Sequence, residues 1–174
     1  MFSHMIFALY KLCHIVRCLT NCQIFLVDIF FFAHNFLIKK GYDMKSFLIK
    51  TNSQFEMINI TTQIQNIVYD SGIVDGVVYI FIPHTTASVT INEGADPSVM
   101  KDIIKELNKI VPLRDSYLHL EGNSAAHIKS TLVGASEMVM IENGSLVLGT
   151  WQALFLCEFD GPRQRKVFVK VLEG

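Results

Sequence analysis

The residues of this chain whose types and spacing best suit chemistry are three histidines, His84, His119 and His127, each set among small polar residues. His84 lies in Pro83-His84-Thr85-Thr86, and His119 and His127 bracket a run through Glu121, Gly122, Asn123, Ser124 and Ala125. A single histidine near a strand end is usually a hydrogen-bonding group. Three in turn-like segments, which a sheet can gather at one end, point to a shared metal site. Neutral imidazole is the commonest protein metal ligand, and three of them leave coordination positions open for water or a ligand. The expected cofactor is a divalent metal ion of open identity, zinc or magnesium foremost.

Carboxylates and cations near these histidines suggest what the ion would act on. Glu93 and Asp96 follow the strand that begins just after His84. Asp96 precedes Pro97 and reads as a helix cap, which leaves Glu93 as the candidate catalytic carboxylate, a ligand, a ligand's partner or a general base. The start of a helix near Asn123 offers backbone N–H groups to an anion, with Asn123 and Ser130 as candidate binding residues and Lys129 alongside as a catalytic candidate. Every helix has such an end, and this one carries no Walker loop. Arg163, in the basic turn that runs from Gly161 through Arg165 to Lys166, is a candidate clamp for phosphate or carboxylate, against the plainer reading of a solvated hairpin with edge charges. The only tryptophan, Trp151, reads as a core or subunit-interface residue.

These side chains need strands and helices to place them. Strands are expected at 45–50 and 54–60, then a helix capped by Asn59 or Thr61 with Ile60, Ile64, Ile67 and Val68 spaced along one face, stopping at Ser71-Gly72. The β-branched and aromatic run 77–82 is a buried strand ended by Pro83, which sets His84 at a strand end. A strand over 87–92 follows, then a helix from Pro97 to about Lys109 that buries Val99, Ile103, Ile104 and Leu107. A polar loop carries His119, and a short helix carries His127 and Lys129. Strands at about 136–141, 146–148, 152–158 and 166–172 finish the chain, and Asn143-Gly144 marks a hairpin turn. The fold class is α+β, mostly antiparallel sheets with two or three helices.

Composition sets the bounds. At 174 residues with 51% hydrophobic content there is one ordinary domain with ample core, and a net charge of −1 argues against nucleic acid as a partner. Residues 1–43 differ from the rest, with seven of the thirteen Phe and three of the four Cys. We read them as an apolar N-terminal extension from a mis-assigned start, with Met44 as the natural initiator and 44–174 as the domain. The stretch 24–38 is interrupted by Asp28, His34 and Asn35, which argues against a membrane span, and no signal-peptide order is present. Cys13, Cys18 and Cys22 lack the paired spacing of a zinc or iron-sulfur site, and Cys157 reads as a small core residue. So few cysteines in the domain fit a reducing cytoplasm.

Taken together, His84 to Ala87, Asn92-Glu93, Asp96-Pro97, His119, Asn123, Ala126 to Ser130, Gly144, Leu148 to Gln152 and Glu158 to Arg163 resemble the YjbQ family, whose members are called secondary thiamine-phosphate synthases. The match runs in order from about Lys45 to Gly174. The resemblance implies an α+β fold with a YjbQ-like β-sandwich core, a homotrimer, and a metal site on His84, His119 and His127. It also implies thiamine-phosphate synthase activity on small phosphorylated substrates, joining hydroxymethylpyrimidine diphosphate to thiazole phosphate with release of pyrophosphate. Lys129, Arg163 and the helix start at Asn123 would then stabilise the leaving diphosphate. Ser124-Ala125 departs from the acidic residue expected before Ala126-His127, which puts metal affinity in doubt. Two other functions compete: a metal-dependent hydrolase of a small phosphorylated metabolite, and a non-catalytic trimer that binds metal or metabolite.

Overall fold

The computed structural model describes residues 44–174; the expectations for the N-terminal extension and for Cys13, Cys18 and Cys22 lie outside the described residues. Eight strands and three helices follow in the order β1 (Lys45–Lys50), β2 (Glu56–Asn59), α1 (Thr61–Ser71), β3 (Gly76–Phe81), β4 (Ala87–Glu93), α2 (Pro97–Ile110), α3 (Ser124–Val133), β5 (Ser136–Glu142), β6 (Ser145–Leu146), β7 (Gln152–Glu158) and β8 (Gln164–Glu173). The fold is the expected α+β one. All strand pairs are antiparallel, in a five-stranded sheet ordered β1-β8-β3-β5-β6 and a three-stranded sheet ordered β2-β7-β4.

Period-two alternation decides which residues fill the space between the sheets. Along β8, Arg165, Val167, Val169 and Val171 are buried while the residues between them are not. Val78 and Ile80 of β3, Val139 and Ile141 of β5, and Leu154 and Leu156 of β7 join them, with Ile60, Ile64 and Val68 from the start and inner stripe of α1. β7 is buried on both faces. Its other set, Ala153, Phe155 and Cys157, packs outward with Phe159 into a second cluster that includes Ala126, Val133, Met100 and Leu107. A fully buried side chain such as Phe155 contributes roughly 1.5–3 kcal/mol. Cys157 is the small core residue expected, and burial pushes its thiol up to about 12.

Local chemistry sets the boundaries. Asn59 Oδ1 accepts the Thr61 N–H at 2.9 Å where α1 begins, and Asp96 Oδ1 accepts the Ser98 N–H at 2.8 Å at the head of α2. Asn143 and Gly144 both take positive φ, 52° and 74°, closing the β5–β6 hairpin. Two expectations need correction. α2 has no fully buried residue; Val99, Ile103, Ile104 and Leu107 are half-buried, because the helix lies along the outside of the second cluster rather than inside a core. Trp151 is 65% exposed and so is not a core residue. It sits in the turn just before β7, and its exposure agrees with the subunit-interface alternative instead.

Candidate metal and anion site

One end of the sandwich is closed by the β3–β4 loop, the end of β1 and the β7–β8 turn. A buried ion pair holds it together. Glu158, at the end of β7, and Arg165, on the inward face of β8, meet with Nε to Oε2 at 2.7 Å and Nη2 to Oε1 at 2.5 Å. Glu158 Oε2 also accepts from Thr51 Oγ1 at 3.1 Å and Oε1 from the Asp160 N–H at 2.8 Å. Arg165 Nη2 reaches Thr86 Oγ1 at 2.8 Å. With both carboxylate oxygens engaged, the pair fastens three segments together and has no lone pair to spare for an ion. Gly161 is required in the turn beside it. A Cβ there would run into the Ser53 carbonyl oxygen and approach Glu158 Cγ to 2.9 Å.

His84 stands beside this pair, and its imidazole performs a backbone task. β3 is last paired at Phe81, opposite Phe168, and Pro83 prevents the strand from continuing. The amide of Lys166, two residues before Phe168, therefore lacks a strand carbonyl on that side. His84 Nε2 supplies the acceptor, taking the Lys166 N–H at 2.8 Å. Burial, and then the neighbouring Arg165 charge, lower the His84 pKa from the ordinary 6.5, while Glu158 opposes them. A neutral imidazole that accepts at Nε2 carries its proton on Nδ1. Neither nitrogen then has a lone pair for an ion, so the expected role of His84 as a metal ligand does not fit this arrangement.

His119 and His127 do come together. Their ring centroids are 5.3 Å apart with the planes 80° to each other. That is an ordinary edge-to-face ring contact, and it is also compatible with two imidazoles bound at about 2.0–2.1 Å to one tetrahedral ion, whose centroids would lie about 5 Å apart. Glu121, which the sequence reading passed over, brings a carboxylate oxygen to 3.6 Å from His119 Nε2. Two residues from a candidate ligand, it was the signal available. Among the described residues no three His, Cys, Asp or Glu side chains converge on one point. The contacts are pairwise around His119, with His127 through its ring and Glu121 through its carboxylate.

The remaining candidates divide between the site and the scaffold. Asn123, just ahead of α3, donates Nδ2 to Asp160 Oδ2 at 3.2 Å, and Arg163 Nη2 donates to that same oxygen at 2.7 Å. Asp160 thus ties the head of α3 to the β7–β8 turn. Asn123 Oδ1 is buried without a hydrogen-bond partner among the described residues. Arg163 remains largely exposed, with one face of its guanidinium on Asp160.

Lys129, Ser130 and Glu93 are placed elsewhere. The Lys129 side chain is buried, donates to Asn108 Oδ1 at 2.6 Å and lies 4.3 Å over the Phe55 ring, joining α3 to α2 and to the bend just before β2. Burial lowers its pKa. Ser130 donates to the Ala87 carbonyl at 2.9 Å and accepts from Ser88 Oγ, which pins α3 to β4. Helical spacing turns both residues toward the protein, away from the helix start. Glu93 is paired with Gln152 while Ala87 is paired with Glu158, so the whole of β4 separates it from His84. At about 3.3 Å per residue that is roughly 20 Å. Nearness in sequence misled here because the intervening residues are fully extended. Asp96 is the helix cap, and the Ser98 amide holds its carboxyl below the usual range.

Sequence and fold comparisons agree on kinship. Residues 45–174 match the family described as UPF0047 protein YjbQ-like. A UPF0047 protein of Methanocaldococcus jannaschii is 51% identical over 124 residues, which cover 71% of this chain and 90% of that protein. The UPF0047 protein YugU of Bacillus subtilis is 47% identical over 130 residues, covering 74% and 98%. A crystal structure of an uncharacterized conserved protein of the YjbQ/UPF0047 family from Clostridium acetobutylicum superposes with a TM-score of 0.73 at 50% identity, covering 74% of this chain and 99% of that one. A YbjQ-like protein of unknown function from Sulfolobus solfataricus gives 0.73 at 36% identity, covering 76% and 97%. These relatives are named by family alone or as of unknown function. Thiamine-phosphate synthase activity, expected from the resemblance, is therefore withdrawn. Among the described residues no helix is long and apolar enough to cross a membrane.

Proposed function

The chain belongs to the YjbQ-like UPF0047 family, and on that premise we propose that it binds a divalent metal ion beside a small phosphorylated ligand, at the face where α3 meets the β7–β8 turn. The 5.3 Å approach of the His119 and His127 rings carries the reading. Glu121, exposed beside His119, is the group suited to complete the donor set. Imidazole donors favour zinc over magnesium, which prefers oxygen ligands and retains its waters. When bound, the ion supplies a Lewis acid for an anionic ligand. Arg163 and the head of α3 add the cationic fork and the backbone N–H groups that phosphate oxygens take. The unpartnered Oδ1 of Asn123 faces the same need for a donor or cation.

The reading extends to a homotrimer in the cytoplasm. The outward face of the five-stranded sheet supports self-association, since Leu48, Tyr79, Phe81, Met138 and Met140 are all exposed there and Tyr79 pairs directly with Met138. Monomers seldom leave so continuous an apolar face to water. Light scattering on the purified full chain is expected to give the mass of three copies, and a monomer would refute this part. Elemental analysis of protein purified without added metal tests the rest. About one divalent ion per chain is expected, reduced in Glu121→Gln. A metal-free protein that also fails to take up zinc or to bind inorganic phosphate defeats the proposal.

A further inference from the structure

We propose that His84 is an anion-binding residue, presenting its Nδ1–H to a phosphate or carboxylate oxygen at the β3–β4 loop. This rests on the anion part of the reading above. The argument begins at Lys166, whose backbone N–H is a fixed donor aimed at His84 Nε2 at 2.8 Å. Turning the ring over would put a carbon against that N–H and lose the bond, so the placement of the two nitrogens follows from the hydrogen bond itself. Nε2 is then the acceptor, and Nδ1 carries the proton of the neutral ring.

The residue is half-buried, with Nε2 held on the Lys166 amide of β8. The charges around it suit an anion. The guanidinium of Arg165 lies behind it, the ammonium of Lys166 belongs to the residue whose amide it accepts, and Arg163 occupies the adjoining turn. Glu158 is the opposing carboxylate, and Arg165 engages both its oxygens. The lowered His84 pKa agrees with a ring that stays neutral in this company and so keeps its tautomer. The histidine is thereby a pre-oriented single donor whose direction β8 sets. This differs in kind from lending a lone pair to an ion.

The test uses the full chain, stripped of metal with chelator, labelled with ¹⁵N-histidine and probed with inorganic phosphate. Long-range ¹H–¹⁵N correlation at neutral pH is expected to show one ring protonated at Nδ1 and unprotonated at Nε2, absent in His84→Gln. Phosphate is expected to shift that Nδ1 resonance. His84→Ala should weaken phosphate binding about tenfold, the worth of one hydrogen bond to an anion. His84→Gln, which keeps an acceptor for Lys166 and an N–H donor, should recover much of it. Zinc uptake should be unchanged in both variants. An Nε2–H tautomer, an unmoved resonance in the presence of phosphate, or zinc lost with His84→Gln would each overturn the proposal. Phosphate that binds the parent but leaves the His84 resonance unmoved overturns this proposal alone, whereas a parent that binds no phosphate overturns the anion reading on which it rests.

Discussion

His84, His119 and His127 look equivalent along the chain, yet His84 takes a backbone amide of β8 while His119 and His127 meet each other. The residue types were legible as polar, turn-borne and suited to ions. The division of labour was not, because it depends on where β3 stops and which amide it leaves without a partner. Lys129 shows a similar gap: a lysine two residues past His127 invites an anion-binding role, but its ammonium ends on Asn108 and Phe55. Lys129→Met should therefore fold, with stability within about 1 kcal/mol of the parent, since relief of a buried unpaired charge offsets the lost hydrogen bond and ring contact. Phosphate binding should be unaffected, and its loss in this well-folded variant would restore Lys129 to the site. A pH effect is also expected from His84. Its folded pKa is lowered from 6.5, so the stability it contributes is full above about 6.5 and lost as pH falls through that value and the folded pKa below it. In thermal melts the advantage of the parent over His84→Gln should shrink toward acid, and an advantage that grows would contradict the hydrogen-bond assignment.

At the level of elements, the alternation of β8 and the double burial of β7 explain how Arg165, expected in a solvated basic turn, came to be buried against Glu158. Arg165 is in phase with Val167, Val169 and Val171, and Glu158 with Leu154 and Leu156. Period two alone could have matched them across the sheets. The missing information was that β7 and β8 lie in different sheets with their inward faces opposed, which is a matter of topology. Arg165→Met should destabilise the protein by about 3–5 kcal/mol, because a carboxylate is left buried without its partner. Chemical denaturation measures this, and Arg165→Met combined with Glu158→Leu should recover most of the loss. A single variant as stable as the parent would mean that the pair is not buried in solution. The same topology accounts for Glu93. β4 was recognisable as a strand, but the site was wrongly extended along it, and seven residues of extended chain carried the carboxylate to the opposite end.

For the whole molecule, the antiparallel α+β architecture, the Asn143-Gly144 hairpin and the Asp96-Pro97 helix start were all readable from local chemistry and periodicity. The half-covered stripe of α2 and the exposed Trp151 were not, because burial depends on which layers stack above a surface. The α3 helix, fastened to β4 through Ser88 and Ser130 and to the β7–β8 turn through Asn123 and Asp160, places His127 opposite His119 on a supported platform. That placement is the centre of the account, and a zinc titration of the chelator-stripped full chain, followed by calorimetry, tests it most directly. The parent and His84→Gln are expected to bind about one ion per chain, while His119→Ala and His127→Ala lose it. Equal zinc binding in the doubly substituted His119→Ala/His127→Ala protein, or no binding by the parent, would contradict it.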